Sequence, residues 1–255
     1  MIPKVIHYCW FGGNPLPELA KRCISSWKKY LPDYEIKEWN ENNFDINIIP
    51  YTKEAYQAKK YAFVSDYARF WILYHYGGLY FDTDVEVIRP MDGIISQGAF
   101  MGCEKDAILN NNVNSNLNTF PVVAPGLGLG CSPGMAFYKQ ILELYNQLHF
   151  VNENGKLNLK TVVTYTTEIL CEHGLKNISG IQRILDINIY PKEYFCPTDN
   201  ETNKCIITKN TYTIHHYAGS WLTIKGKIRV WLIRKISYCI RSIKHFIATN
   251  ISKKK

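Results

Sequence analysis

Short apolar runs alternate with helical ones over the first part of the chain, and this alternation constrains the fold most strongly. "KVIHYCW", starting at Lys4, and "YEIKEWN", starting at Tyr34, have the length and composition of strands. The segment between them, 15–31, carries apolar residues at helical spacing. Parallel strands need a helical crossover, so a strand, helix, strand order is typical of a parallel sheet. The sequence therefore predicts an α/β fold.

The positive charge of the chain is concentrated at its C-terminal end. The formal net charge is +8, from 30 basic and 22 acidic residues. Residues 225–255 contain ten Lys or Arg and no Asp or Glu, so residues 1–224 are close to neutral. A near-neutral body weighs against nucleic-acid binding. We therefore divide the chain into one domain at 1–224 and a basic tail at 225–255.

The tail has the pattern of an amphipathic helix. Its apolar residues form one helical stripe, with most basic residues on the other side. Such a helix, rich in Lys and Arg and carrying Trp231, is typical of a segment that lies on an anionic membrane surface. The alternative is a helix that packs on the protein's own core.

The cysteines bear on the cellular compartment. The eight cysteines are scattered without a CxxC spacing, which argues against a zinc site and for reduced thiols. The N-terminal residues 1–13 lack the pattern of a signal peptide. Together with the basic tail, these features predict a cytoplasmic protein that is peripheral on the inner face of the cell membrane.

Two aspartates follow an apolar run in "GGLYFDTDVEV", residues 77–87. Ligands of α/β sheets bind beyond the carboxyl ends of strands. Alternation along a strand would point Asp82 and Asp84 to the same side. Two carboxylates there can hold Mg²⁺ or Mn²⁺ bridging a diphosphate. The alternative is a strand-end turn with solvated aspartates.

A second candidate lies in the preceding helical run, in "SDYARF". Asp66 and Arg69 are three residues apart and share a helix face. Arg69 can bind phosphate or sugar oxygens while Asp66 accepts from hydroxyls, although a surface ion pair would have the same spacing. Ser65 is expected to cap a helix that begins there.

Two further stretches carry candidate ligand contacts. His216, in "IHHYAGSW", follows a predicted strand and can join a carboxylate on Mn²⁺, although a structural histidine has the same pattern. The segment with Ser220 and Trp221 can form a loop that closes over a ligand. Trp10 or Phe11, at the end of the first strand, can stack on a nucleobase, and at least one of them is expected in the core.

These stretches and their order, "IPKVIHYCWFGG", "SDYARFWILYHYGGLYFDTDV" and "HHYAGSW", resemble the glycosyltransferase family with a DXD sugar-binding motif. This family includes capsular-polysaccharide synthesis enzymes and initiating mannosyltransferases, with large glucosylating toxins as distant relatives. The resemblance implies a single Rossmann-like nucleotide-diphospho-sugar transferase fold of the A type. It also implies retention of the anomeric configuration.

The resemblance assigns roles to the candidate residues. Asp84 would be the principal ligand of Mn²⁺ or Mg²⁺, with His216 as the later metal-binding histidine. Asp82 would contact the ribose and the donor sugar. Arg69 and Asp66 would hold the diphosphate and the sugar hydroxyls. Asp82, Asp84 and Arg69 are thereby predicted as catalytic residues.

The remaining donor contacts would come from the two ends of the domain. Trp10 would lie on the base, with Phe11 as the neighbouring donor-side aromatic residue. Ser220 and Trp221 would belong to the closing loop.

The predicted function is a metal-dependent, retaining transfer of a sugar from a nucleotide-diphospho-sugar to a glycan acceptor. A UDP-sugar is the expected donor and a lipid-linked oligosaccharide of bacterial surface polysaccharide synthesis the expected acceptor. Three alternatives remain open. They are a catalytically idle factor that binds sugar nucleotide or glycan, a membrane-tethered interaction protein, and a metal-dependent hydrolase.

Overall fold

Strands and helices alternate through a computed structural model that describes residues 1–107, 120–199 and 204–219. The strands are β1 Val5–Cys9, β2 Glu35–Trp39, β3 Gly78–Tyr80, β4 Val85–Val87, β5 Phe100–Lys105, β6 Val122–Val123, β7 Leu129–Cys131, β8 Gln182–Ile184, β9 Ile187–Tyr190 and β10 Thr213–His215. The helices are α1 Glu18–Tyr30, α2 Pro50–Gln57, α3 Tyr61–Tyr76, α4 Asp92–Ile95, α5 Ala136–Asn146, α6 Val162–Glu172 and α7 Lys192–Phe195.

One mixed sheet organises the fold, with strand order β2-β1-β3-β7-β5-β9-β8 and β6 paired to β5. Strand β1 is parallel to both β2 and β3. Strand β7 is antiparallel to β3 and to β5, so β3 and β5 run in the same direction. The carboxyl ends of β1, β3 and β5 therefore lie along one edge of the sheet. The predicted α/β class and its Rossmann-like parallel part are confirmed.

Helices cover both faces of this sheet, which explains the hydrophobic runs of its strands. On one face, α3 packs with α2, α5 and α6 in an aromatic-rich core. On the other face, α1 packs against β4, and the indole Nε1 of Trp27 donates a hydrogen bond to the carbonyl of Val85 at 2.8 Å. Among the strands of the described residues, β4 pairs only with β10, in a separate antiparallel ribbon.

The helical run before the aspartates breaks earlier than predicted. Helix α2 ends at Gln57, and Lys59 adopts a left-handed conformation with φ of 56°. Helix α3 then begins at Tyr61, so Ser65 lies inside it and its hydroxyl donates to the carbonyl of Tyr61. The prediction that Ser65 caps a helix is wrong, because the chain turns five residues before it.

The predicted strand through the two aspartates is also divided. Strand β3 ends at Tyr80 and β4 begins at Val85 in the other sheet. The backbone N–H of Val85 donates to the carbonyl of Asp82 at 3.0 Å, which closes a turn between them. Asp82 and Asp84 therefore do not follow strand alternation, and their predicted common side is wrong.

Glycines 77 and 78 allow α3 to lead directly into β3. Gly77 ends the helix with φ of 61°, and Gly78 has φ of 96°. A Cβ on Gly78 would lie 2.6 Å from the carbonyl oxygen of Val5, so only glycine lets β3 lie this close to β1. This close pairing fixes where the turn over residues 82–85, which we call the aspartate turn, begins.

His7 secures the same junction. Its Nε2 contacts the carbonyl of Gly77 at 3.1 Å, and its Nδ1 accepts from the indole of Trp39 at 3.0 Å. These two contacts define the neutral tautomer with the proton on Nε2. Burial lowers the pKa of His7 to about 4, and the nearby Lys37 also lowers it.

Several sequence predictions fall outside the described residues. They include the amphipathic helix at 225–255 and the domain boundary at 224, which stay predictions. The seven cysteines within the described ranges are free thiols. Over these same ranges, no helix reaches the length and hydropathy of a membrane span.

We expect His7 to make the fold sensitive to acid. Because its pKa is lower in the folded than in the unfolded state, its contribution to stability is complete above pH 6.5 and is lost as pH falls towards 4. The free energy of unfolding should fall by up to about 3 kcal/mol over this window. Urea unfolding at pH 7 and pH 4.5 should show a smaller difference for His7→Asn than for wild type. The exposed-site control His75→Asn should keep the wild-type difference, and equal differences in all three proteins would contradict the prediction.

Candidate active site

A buried ion network lies at the carboxyl end of β3. Arg69 reaches from α3, with Nη2 2.8 Å from Oδ1 of Asp66 and Nη1 3.4 Å from the carboxylate of Asp82. The hydroxyl of Tyr80 donates to Oδ1 of Asp82 at 3.1 Å. Arg69 is only 4% exposed and Asp66 8% exposed. The i,i+3 ion pair between Asp66 and Arg69 is therefore buried and does not lie on the surface.

The electrostatics of this network follow from its burial. Burial alone would lower the pKa of Arg69, but Asp82, Tyr80 and Asp66 raise it above its usual range. Burial raises the pKa of Asp66 to about 6 against the opposing effect of Arg69. A hydrogen bond from the backbone of Val162, at the start of α6, also favours the ionised carboxylate. Asp66 thus joins α3, α6 and the candidate site.

Asp84 is held by a segment from the other end of the domain. Its Oδ1 lies 3.2 Å from Nε2 of His215, and its Oδ2 accepts from the backbone N–H of Ala218 at 2.8 Å. Its carbonyl accepts from the backbone N–H of His216 at 3.0 Å. Burial would raise the pKa of Asp84, but His215 and the Ala218 N–H lower it below its ordinary value. Burial would lower the pKa of His215, and Asp84 raises it to about 10.

The two adjacent histidines have different partners. His215 is cross-strand from Val85 in the β4–β10 ribbon, which places it beside Asp84. His216 lies with Nε2 2.7 Å from Oε2 of Glu86. The sequence predicted that His216 would share a cation with Asp84, but the histidine whose ring lies beside Asp84 is His215. The predicted metal-binding role of His216 stays a prediction.

Of the two N-terminal aromatic residues, only one is available at the site. Phe11 is 5% exposed and packs edge-on against Phe44 in the core. Its ring is covered, so we correct Phe11 from a donor contact to a core residue. Trp10 is partly exposed directly after β1, and its indole donates to the carbonyl of Asn14 at 2.6 Å. Ser220 and Trp221 lie outside the described residues.

The sequence analysis did not single out Gly126, although its backbone lies directly against Asp82. Its carbonyl accepts from the backbone N–H of Asp82 at 3.1 Å. A Cβ at this position would lie 2.0 Å from Oδ2 of Asp82 and 3.2 Å from Nη1 of Arg69. The repeated glycines of "APGLGLGCSPG", residues 124–134, were the available signal for such a close approach.

Comparison with known proteins bears on this geometry. Residues 17–101 match the family model described as glycosyltransferase sugar-binding region containing DXD motif. This part of the chain is similar to that glycosyltransferase family. The matched residues include Asp66, Arg69, Asp82 and Asp84 but end before His215. The family resemblance predicted from the sequence is confirmed.

Proteins with sequences similar to this chain include named glycosyltransferases. Inositol phosphoceramide mannosyltransferase 1 of Schizosaccharomyces pombe is 33% identical over 111 residues, which cover 39% of this chain and 33% of that protein. Mannosyl phosphorylinositol ceramide synthase CSH1 of Saccharomyces cerevisiae is 28% identical, covering 65% of this chain and 49% of that protein. The chain thus spans half or less of these relatives. Glycosyltransferase L373 of Acanthamoeba polyphaga mimivirus is 24% identical over 87% of this chain and 84% of its own length.

Among solved structures, the PaToxG glycosyltransferase overlaps with a TM-score of 0.47 at 19% identity, covering 67% of this chain and 69% of its own. A glycosyltransferase involved in glycosylation of the PBCV-1 major capsid overlaps with a TM-score of 0.46 at 12% identity. That overlap covers 90% of this chain and 100% of the other.

We expect removal of the Arg69 charge to destabilise the fold. Arg69→Met would leave the buried Asp66 carboxylate without its cation, which costs about 3–5 kcal/mol in the free energy of unfolding. Arg183 offers a matched control, because it forms an i,i+3 pair with Asp186 on the surface. Arg183→Met should change stability by less than about 1 kcal/mol. Urea unfolding at pH 7 measures both, and equal effects would contradict the buried network.

Proposed function

We propose that this chain transfers a sugar from a nucleotide-diphospho-sugar to a hydroxyl group of a glycan or glycolipid acceptor. The observation that carries the proposal is the juxtaposition of two different carboxylate sites within one short turn. Asp82 belongs to a buried arginine network, and Asp84 faces the imidazole of His215, the last residue of β10. A donor of this class offers hydroxyls and a diphosphate, which need hydrogen-bond acceptors and positive charge, respectively.

Donor binding follows from the contacts of the buried network. Asp82 is about one third exposed, so its carboxylate remains open to accept from sugar or ribose hydroxyls. Arg69 fixes that carboxylate and contributes positive charge close to the diphosphate site. Asp66 acts mainly through Arg69, because it is nearly fully buried. Trp10 is the aromatic residue available to lie on the base.

Asp84 and His215 suit a divalent cation. A carboxylate and an imidazole are both ligands of Mn²⁺, and their facing atoms are 3.2 Å apart. No group of three His, Cys, Asp or Glu side chains suited to a metal occurs within the described ranges. The pair fits a cation that takes its other ligands from diphosphate and water, as Mg²⁺ commonly does. When bound, such a cation neutralises charge on the departing nucleoside diphosphate.

The chain's own residues account for the rest of the proposed chemistry. Departure of the nucleoside diphosphate collects negative charge, which the buried Arg69 stabilises from a fixed position. The backbone N–H of Ala218 holds Asp84 in its orientation. We propose retention of the anomeric configuration: the acceptor hydroxyl approaches the face of the sugar from which the nucleoside diphosphate departs, and its proton passes to the departing phosphate oxygen. No side chain is assigned as a nucleophile in this scheme.

The names of the relatives bear on donor and acceptor. They support a mannosyl donor, in place of the UDP-sugar predicted from the sequence, and an acceptor with an inositol phosphoceramide head group or related glycolipid. A glycolipid acceptor agrees with the predicted membrane association of residues 225–255. Membrane association, cytoplasmic location and a role in surface polysaccharide synthesis remain predictions.

The experiment is a sugar-nucleotide panel that includes GDP-mannose, UDP-glucose and UDP-galactose, with and without Mn²⁺. Release of nucleoside diphosphate is measured, and calorimetry follows binding of the nucleoside diphosphate with Mn²⁺. We expect Asp84→Asn to lower kcat/KM by about 100-fold or more, because the charge that holds the cation is removed. Its calorimetric Mn²⁺ signal should be lost as well.

Asp33→Asn is the matched control, because Asp33 is an exposed aspartate paired with Lys4 on the surface. It should leave both turnover and binding unchanged. Full turnover of Asp84→Asn, or of wild type without any divalent cation, would refute the metal assignment. Donor binding without turnover in wild type would favour an idle binding factor. Turnover that no acceptor accelerates would favour a hydrolase.

A further inference from the structure

Glu104 lies at the end of β5 in an irregular position. Strand β5 pairs with β6 through Cys103 opposite Val123 and Lys105 opposite Val122. Two residue steps on β5 therefore match one step on β6, and Glu104 is the extra residue of a β-bulge. Bulges near the ends of strands redirect a side chain, and here the redirected side chain is a carboxylate.

The register of the sheet brings Glu104 to the same edge as the aspartate turn. Tyr80 of β3 pairs with Leu129 of β7, and Leu129 also pairs with Met101 of β5. Asp82 follows Tyr80 by two residues, and Glu104 follows Met101 by three along a strand of the same direction. Two strand spacings separate them laterally, which is about 10 Å. Glu104 therefore lies beside the proposed donor site.

The face of the sheet is fixed by the neighbours of β5. A Cβ on Gly102 would lie 2.7 Å from the ring of Phe195, on the face that carries β4 and α7. The bulge interrupts strand alternation at residue 104, so the groups around its side chain decide its direction. Glu104 interacts electrostatically with His215, the partner of Asp84, and with Lys192 at the start of α7, which packs against β5. These neighbours place its carboxylate on the His215 side of the site.

Glu104 lacks a partner of its own within the described part of the chain. It is partly buried, yet none of the hydrogen bonds or ion pairs among those residues involves it. Burial raises its pKa, against the opposing effects of Lys105, His215 and Lys192. Over the same residues it does not complete a three-ligand metal group with Asp84 and His215. Because Glu104 is only partly buried, its carboxylate is open to hydrogen bonds from a ligand.

We propose that Glu104 forms an acceptor subsite and accepts a hydrogen bond from a hydroxyl group of a polyhydroxylated ring, a sugar or a cyclitol. This inference rests on the proposed function and adds the residue that selects the acceptor. An ionised carboxylate only accepts hydrogen bonds, so it recognises hydroxyl groups and not ether or phosphate oxygens. Lys105 and Lys192 keep the surroundings from becoming strongly negative. Glu104 binds the acceptor and takes no part in metal binding.

The test compares wild type with Glu104→Gln, using the full chain and the best donor of the panel. Nucleoside diphosphate release is measured with water alone and with increasing methyl α-D-mannopyranoside or myo-inositol. We expect at least one polyol to accelerate release by wild type. In Glu104→Gln, the KM for that polyol should rise about tenfold or more, as expected for a hydrogen bond to a charged group. The donor KM and the rate with water should stay within about twofold.

Glu143→Gln is the control, because Glu143 is an exposed glutamate that pairs with Lys139 on α5. It should keep all wild-type parameters. An unchanged polyol KM in Glu104→Gln, an equal rise in the donor KM, or a wild type that no polyol accelerates overturns the subsite while donor turnover stands. A wild type that neither binds nor turns over any donor overturns the proposed function itself, and the subsite with it.

Discussion

The buried guanidinium of Arg69 is the constraint on which the rest of the site depends. Removing three charged groups from water is costly, and the cost is offset only when their geometry is well matched. Here Arg69 lies between Asp66, which contacts the start of α6, and Asp82, which follows β3. Two helices and one strand end must therefore keep their positions for the network to be satisfied. Apolar residues of similar volume would often fill such a space at no loss of stability, so stability alone does not explain the charges.

The two aspartates of the DXD motif have distinct electrostatic environments despite their spacing in sequence. The turn after β3 directs Asp82 towards a permanent cation and Asp84 towards an imidazole. Arginine stays protonated, so the Asp82 environment is fixed. The Asp84 environment can exchange a proton for another cation, because imidazole binds metals when it is neutral. The proposed function assigns the donor sugar to the first environment and the metal to the second, so the two would be held independently within one turn.

Much of the fold was accessible from the sequence, because hydrophobic periodicity and glycine pairs are local signals. β1, α1 and β2 were predicted close to their observed bounds, and the sequence singled out Asp66, Arg69 and Asp82, which the structure brings together in one buried network. The shared face of the aspartates was predicted wrongly, because β4 leaves the main sheet to pair with β10. That change of partner is a tertiary effect that no local pattern records. The same pairing places His215, and not His216, beside Asp84, and the covered ring of Phe11 depends on Phe44.

The β4–β10 ribbon has a consequence for the order in which the site is assembled. Val85 and His215 are neighbours in the ribbon but are 130 residues apart in the chain. At ribosomal rates, synthesis of the intervening residues takes on the order of ten seconds. During this time the nascent chain holds Asp82 and Arg69 but has no partner to place beside Asp84. The segment that the family model matches therefore contains only the Asp84 side of the Asp84–His215 contact, and the His215 side is synthesised later.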